Sequence, residues 1–182
     1  AEGDRVPLGQ PDHALAAGDD WSLDPAPWFD HDADRPLRLL RSSHTRLLDE
    51  PSLRKLTSET FTVHADSNRV GSRLDGPRLA LAADTEIISA GSVAGSVQLP
   101  PGGQPIVFGC EHPVSGGYPR IAQLIEADLP RMAQRRPGDA LCFCWVSMDE
   151  ALEARHTARA LLAQMRWQIN NRLQRQDPEQ AA

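Results

Sequence analysis

Apolar and polar positions alternate in short runs through most of the chain, and the period changes only near its end. Arg35 to Leu40 (RPLRLL) and Thr60 to Asp66 (TFTVHAD) carry the alternation of half-buried strands. Arg5 to Leu8, Leu79 to Ala83, Glu86 to Ser89, Val93 to Leu99, Gln104 to Cys110 and Ala140 to Val146 extend the series. Between Val93–Leu99 and Gln104–Cys110 lies Pro100-Pro101-Gly102-Gly103. Proline presets φ for a turn entry and glycine reaches positive φ, so these two runs are expected to form a hairpin. A second pair, Gly116-Gly117, lets the backbone turn or approach a neighbour closely just before Tyr118.

Helical signals are fewer. Leu47 to Leu56, with Asp49, Glu50 and Pro51 near its start, reads as a short helix or turn. Asp128 is placed to cap a short helix beginning at Leu129-Pro130, which Pro137-Gly138 stops. Ile121, Leu124 and Ile125 have helical spacing after a Gly-Gly turn, so Pro119 to Glu126 stays open between helix and strand. Ser147-Met148-Asp149-Glu150 is an S-x-x-E capping box, and the Gly- and Pro-free run after it predicts a long helix over 148–172. Its Ala/Leu/Met face is expected to pack on the rest of the fold or on a partner. Many short strands at close spacing point to a barrel or sandwich rather than to βαβ units.

Composition narrows the class. A chain of 182 residues with 40% hydrophobic and 24% charged positions suits one globular core. Residues 1–34 form an irregular acidic lead-in, with seven aspartates and no Lys or Arg between Asp12 and Asp34, and with Trp21, Trp28 and Phe29 to pin it. The core domain is expected over 35–175 and a frayed tail over 176–182. No run approaches the ~20 apolar residues of a membrane span. A net charge of −6 argues against nucleic-acid binding. Three cysteines are too few for a disulfide framework, so a reducing cytoplasm is the expected compartment.

Candidate chemistry is spread along the chain. Cys110-Glu111-His112 and Cys142-Phe143-Cys144 supply four soft or borderline ligands, but zinc sites typically use C-x2-C knuckles on tight turns, and buried strand cysteines are common. No metal site is expected. His64, Asp66 and Ser67 are triad residue types, yet their adjacency in sequence is no support, because triads assemble from separate segments. Arg69, Arg73 and Arg120 flank glycine-rich turns, where a guanidinium can meet a carboxylate or phosphate, and Tyr118 adds a hydroxyl. Neither a Walker loop nor G-x-G-x-x-G occurs.

SNRVGSRLDGP (67–77), SAGSVAGSVQLPPGGQPIVF (89–108) and SGGYPRIAQLIEADLPRMAQRRPGD (115–139), followed by the closing strand and capped helix, form an ordered series. Over about Arg35 to Ile169 this series resembles the family of the 5-oxoprolinase C subunit, which includes allophanate hydrolase subunit 2-like and urea carboxylase carboxyltransferase domains. The resemblance implies a mostly β, cyclophilin-like barrel with a short helix and a long C-terminal helix, and it turns 120–127 into a strand. It implies a component of an ATP-dependent 5-oxoprolinase or biotin-dependent carboxyltransferase complex, inactive alone. The site would be shared with a sister protein of the type of the 5-oxoprolinase B subunit or of allophanate hydrolase subunit 1. The 5-oxoprolinase A subunit would be a further partner. ATP would be used by the complex, biotin is an optional cofactor, and none is bound by this chain alone. In that frame Arg120 and Tyr118 are the catalytic candidates. Arg69, Arg73, Gln98, Gln104, Ser115, Gly116 and Gly117 are the substrate-binding ones.

The departures from the family pattern are Asn68 for an acid, Ala94 for a proline, Val114 and Ser115 for threonines, and Arg120 for a lysine. The family's N-terminal half has no counterpart, so the chain resembles the C-terminal portion of such a protein. A non-catalytic module that regulates a sister subunit is the alternative expectation, since Arg cannot replace a titrating Lys.

Overall fold

Two strands separated by one residue hold the two edges of the same sheet. In this computed structural model, which describes Ser22, residues 35–83 and residues 87–175, strand β9 (Ala140–Leu141) and strand β10 (Phe143–Trp145) flank Cys142. The strands between are β1 (Leu37–Arg41), β2 (Phe61–Val63), β3 (Gly71–Asp75), β5 (Ser96–Gln98), β6 (Ile106–Phe108) and β8 (Arg120–Leu124). They form an eight-stranded sheet in the order β10-β1-β8-β5-β6-β3-β2-β9, which curls into a nearly closed barrel. Only β1 and β10 pair in parallel; the other neighbours are antiparallel. A separate ribbon pairs β4 (Ala90–Gly91) with β7 (Ser115–Gly116).

Alternation explains the core. Leu37, Leu39, Phe61, Leu74, Val97, Val107, Leu124, Leu141 and Phe143 turn inward and are buried. The Phe61 and Phe143 rings meet at 5.8 Å, joining the strands next to the Cys142 break. The hairpin expected across Pro100–Gly103 is present, with Gly103 at φ 78 and too near the Leu79 carbonyl for any Cβ.

Helix α1 (Glu50–Ser58) is capped by Asp49, whose carboxylate accepts the Ser52 N–H at 2.7 Å, with Pro51 in the first turn. Helix α3 (Met148–Arg175) starts on the expected capping box: Glu150 accepts the Ser147 N–H at 2.7 Å, and Ser147 Oγ accepts the Glu150 N–H at 3.2 Å. Its first turns rest on the barrel through buried Ala151 and through Arg155 and Arg159, which face Glu126. Farther along, Leu162 and Trp167 are exposed, so the apolar face leaves the barrel after its first turns.

Several expectations need correction. The helices hold more residues than the strands, α3 alone contributing 28, so the class is mixed α/β rather than mostly β. The run 93–99 begins as a strand only at Ser96, because Gly95 sits at φ 80 in a turn. Leu79 to Ala83 is no strand; Leu81 makes one isolated bridge to Leu48. Ala140 to Val146 breaks at Cys142, and 119–126 resolves as β8, followed by a 3-10 turn (Glu126–Asp128). Residues 87–89 are not in a strand, and the strand expected at 5–8, the lead-in apart from Ser22, and the tail lie outside the described residues.

Asp128 differs most in role. It stands before helix α2 (Leu129–Ala133) but makes no capping bond with its side chain. Instead the carboxylate is fully buried and accepts from Arg38 three times: from its amide at 2.8 Å, its Nε at 3.0 Å and its Nη2 at 2.6 Å. Burial pushes this carboxyl up, but the hydrogen bonds from Arg38 and the charges of Arg38 and Arg131 outweigh it and hold it below the usual range. Its folded pKa being depressed, the stabilisation is complete above the ordinary carboxylate range and is lost as pH falls through the lower folded value. Asp128→Ala is expected to cost about 3 kcal/mol of unfolding free energy at neutral pH, read by urea titration, since it removes the buried carboxylate that three Arg38 donors share. The Arg38→Ala/Asp128→Ala double variant should lose less than the sum of the two single changes.

Candidate functional site

Directly opposed residues on neighbouring strands share a face, and on this sheet the register makes a polar row. Arg120 on β8 opposes Gln98 on β5, Gln98 opposes Ile106 on β6, and Ile106 opposes Arg73 on β3. Val97 points into the core, so Gln98 and the row with it lie on the barrel's outer face. Arg120 joins the row because the β5–β8 register shifts between Val97 and Gln98: Val97 opposes Ala122 while Gln98 opposes Arg120, with Ile121 as the extra residue. A bulge of this kind bends a strand and re-aims side chains.

The β4–β7 ribbon covers this row. A Cβ on Gly116 would come within 2.5 Å of the Gln98 amide nitrogen, so glycine is what lets the ribbon lie down there. Arg120 Nη1 donates to the Gly91 carbonyl at 2.5 Å, fixing the other strand of the ribbon over the sheet. Gln98 is 3% exposed, and its amide nitrogen has no hydrogen-bond acceptor among the described residues. A buried donor without a partner is costly, which makes this nitrogen the most pointed feature of the site. Ser115 lies exposed on β7 opposite Gly91, Gly117 faces Ser89, and Tyr118 is about half exposed where the ribbon leads into β8.

His44, which no sequence motif marks, borders the same place. Its backbone N–H donates to the Arg120 carbonyl at 3.2 Å, and its Nδ1 accepts the Arg120 amide at 3.1 Å. Burial lowers the imidazole pKa, and the charges of Arg120 and Arg46 lower it further.

The remaining candidates go elsewhere. Gln104 ties the hairpin to the next turn, its Nε2 donating to the Gly76 carbonyl at 3.1 Å. Arg73 sits within strand β3, not on a turn, and about two strand spacings (~10 Å) from Gln98. Arg69 lies past the Gly71 end of β3, four residues before Arg73, and pairs with Glu111 at 2.8 Å. There the Asn68–Arg69 turn, Phe108 to Cys110 and helix α2 enclose a groove of about 450 Å³, apolar-walled by Val107, Leu129 and Met132. Asn68 Oδ1 accepts the Val70 N–H at 2.9 Å, a bond that an aspartate carboxylate could make equally well. His64 and Asp66 fold onto one another within their own turn, while Ser67 Oγ accepts the Arg73 N–H. Cys110 is exposed, and Cys142 lies against the Thr60 hydroxyl. Among the described residues no three His, Cys, Asp or Glu side chains are grouped so as to hold a metal.

A barrel with a covered outer-face row of amide and guanidinium groups is the setting in which the family relationship applies. The chain matches the carboxyltransferase domain, subdomain A and B, over residues 1–145, and belongs to that family. The match begins at residue 1 and so reaches back through the lead-in, beyond the motifs from Arg35 onward. The chain is 34% identical to the 5-oxoprolinase C subunit of Escherichia coli over 172 residues, covering 93% of this chain and 53% of that protein. It is 37% identical to the 5-oxoprolinase C subunit of Haemophilus influenzae over 130 residues, covering 71% of this chain and 42% of that one. It thus spans about half the length of the curated relatives it matches. The crystal structure of Kluyveromyces lactis urea carboxylase shares the fold at a TM-score of 0.65 and 24% identity, over 70% of this chain and 12% of that one. No helix among the described residues is long and apolar enough to cross a membrane.

The ribbon's fit gives a direct test. Gly116→Ala forces the Gln98 amide or the ribbon to move and should lower unfolding free energy by about 1 kcal/mol in thermal or urea melts. Gly102→Ala, where an added Cβ meets nothing within 4 Å, should leave it unchanged.

Proposed function

We propose that this chain is the C-terminal part of a subunit in an ATP-dependent 5-oxoprolinase, or a related carboxyltransferase complex, handling a small amide or lactam. The observation that carries the reading is the buried Gln98 amide N–H, unpartnered among the described residues, on the residue directly cross-strand from Arg120. Two donors side by side on a rigid sheet suit a substrate carbonyl or carboxylate, and they would stabilise negative charge developing on a carbonyl oxygen. Arg73 and Tyr118 stand at the margins of the row as further donors. Arg120 holds its charge, so its role is electrostatic rather than that of a base. The ATP-dependent step belongs to a partner of the type of the 5-oxoprolinase A or B subunits, and the site is completed by the sister subunit. The barrel is read as cyclophilin-like on the same family grounds, and the cytoplasm as the compartment on the ground of three free cysteines.

Biotin, if the complex uses it, would meet this chain in the groove beside Asn68 and Arg69, whose volume of about 450 Å³ and apolar walls suit a bicyclic ring. When bound, biotin supplies a ureido nitrogen that carries a carboxyl group. This chain's part is to hold the ring and exclude water.

A second reading has its own observation. Ile88 and Val114, which flank the two strands of the ribbon, are 88% and 86% exposed, a surface suited to a non-catalytic module that regulates its sister subunit.

The deciding experiment is glutamate release from 5-oxoproline with ATP, using this chain co-purified with its neighbouring-gene subunits and an omission control. The first reading predicts release that requires this chain, with kcat/KM lowered about 10- to 100-fold by Gln98→Leu or Arg120→Met. A complex that assembles and releases nothing favours the second. In that case Arg120→Lys restoring turnover would mark a degenerate enzyme, and no effect would count against catalysis at this position.

A further inference from the structure

The β1–β8 ladder ends at the pair Arg41 and Ala122, one residue short of the bulge. Past that point side chains share the pairing with main chain. Thr45 Oγ1 donates to the Ile121 carbonyl at 2.6 Å and accepts the Ser42 N–H at 2.7 Å. His44 then takes both main-chain groups of Arg120: its own N–H donates to the Arg120 carbonyl, and its Nδ1 accepts the Arg120 amide. A ladder would place a carbonyl oxygen opposite that amide; here an imidazole nitrogen stands in for it.

We propose that His44 is a positioning residue for Arg120: its neutral imidazole, held as the Nε2–H tautomer, accepts the Arg120 amide and fixes the bulge that sets the guanidinium beside Gln98. The inference rests on the Gln98–Arg120 reading of the site and adds a residue to it. An Nδ1 that accepts must carry a lone pair, so the imidazolium form, with both nitrogens donating, cannot make this bond. The charged groups acting on the imidazole are both cations, Arg120 from β8 and Arg46 from its own 3-10 turn (Thr45–Leu47), and both favour the neutral ring, as burial does. On the far side Arg120 reaches the Gly91 carbonyl of β4, which brings no charge. Because the folded pKa is lowered, the arrangement is complete above about pH 6.5 and is lost as pH falls through the folded value below it. Protonation then removes the acceptor and places a third cation against the Arg120 backbone.

Two measurements test this. In nitrogen-15 spectra of the labelled chain, His44 should show an unprotonated Nδ1 at neutral pH, and the Arg120 amide resonance should move with the His44 titration. An Nδ1–H tautomer, or an Arg120 amide indifferent to that titration, overturns the proposal. In the assembled complex, wild type should lose kcat/KM on the acid side. His44→Asn, whose Oδ1 offers an acceptor at similar reach without a proton to gain, should keep most activity and lose that acid limb. His44→Leu should be about tenfold lower across the pH range, the effect of removing one partly buried acceptor. Equal losses in the Asn and Leu variants, or an acid limb that survives in Asn, would contradict a positioning role. The spectra decide the placement of His44 even if the complex leaves 5-oxoproline untouched, so failure of the functional reading and failure of this inference give different results.

Discussion

Asp128 is a carboxylate with no exposed surface, and burying a bare charge of that kind costs several kcal/mol. Arg38 is what makes it tolerable. By supplying its amide as well as two guanidinium nitrogens, it holds the carboxylate against the start of β1. Arg131 completes the joint, lying 3.6 Å from Asp128 and donating to the carbonyls of Arg35 and Pro36 just before β1. The strand so fixed is the one whose neighbours are β10 on one side and β8 on the other. A single ionic joint therefore seats helix α2, sets the sheet's closing edge, and holds in place the strand that carries Arg120.

The candidate site is then a matter of register. One extra residue in β8 decides that Arg120, and not its neighbour, opposes Gln98. Glycines decide that the ribbon can press down on the pair, because any side chain at Gly116 would meet the Gln98 amide. Side chains join backbone at the end of the β1–β8 ladder, which is why a histidine borders the candidate site. Each device is local, and the site exists only where the three coincide.

The sequence showed unequal parts of this. Turn and cap chemistry was legible because it is written within a few residues: Asp49 with Pro51, Ser147 with Glu150, and Pro100 to Gly103 all act where expected. Gly116 was also marked, although not the amide it accommodates. Asp128 was misassigned because its position before Leu129-Pro130 is a cap position, whereas its partner lies 90 residues away on another strand. Leu79 to Ala83 alternates like a strand but finds only one bridge partner, and Cys142 interrupts a continuous β pattern because the chain there crosses from one sheet edge to the other. Arg69 and Arg120 looked alike in sequence, each beside glycines. Only the register separates them, one to the groove beyond Gly71 and one to the row with Gln98. His44 carried no local signal, since its role comes from the end of a ladder.

The central claim is that Gln98 and Arg120 act as one unit on the same substrate group. The most direct test is a double-mutant cycle with Gln98→Leu and Arg120→Met, read as kcat/KM of the assembled complex. Shared action predicts that the double variant loses less than the sum of the singles, with a coupling of about 1 kcal/mol or more. Losses that simply add would mean that the two side chains serve separate purposes and that the row on the outer face is not the site.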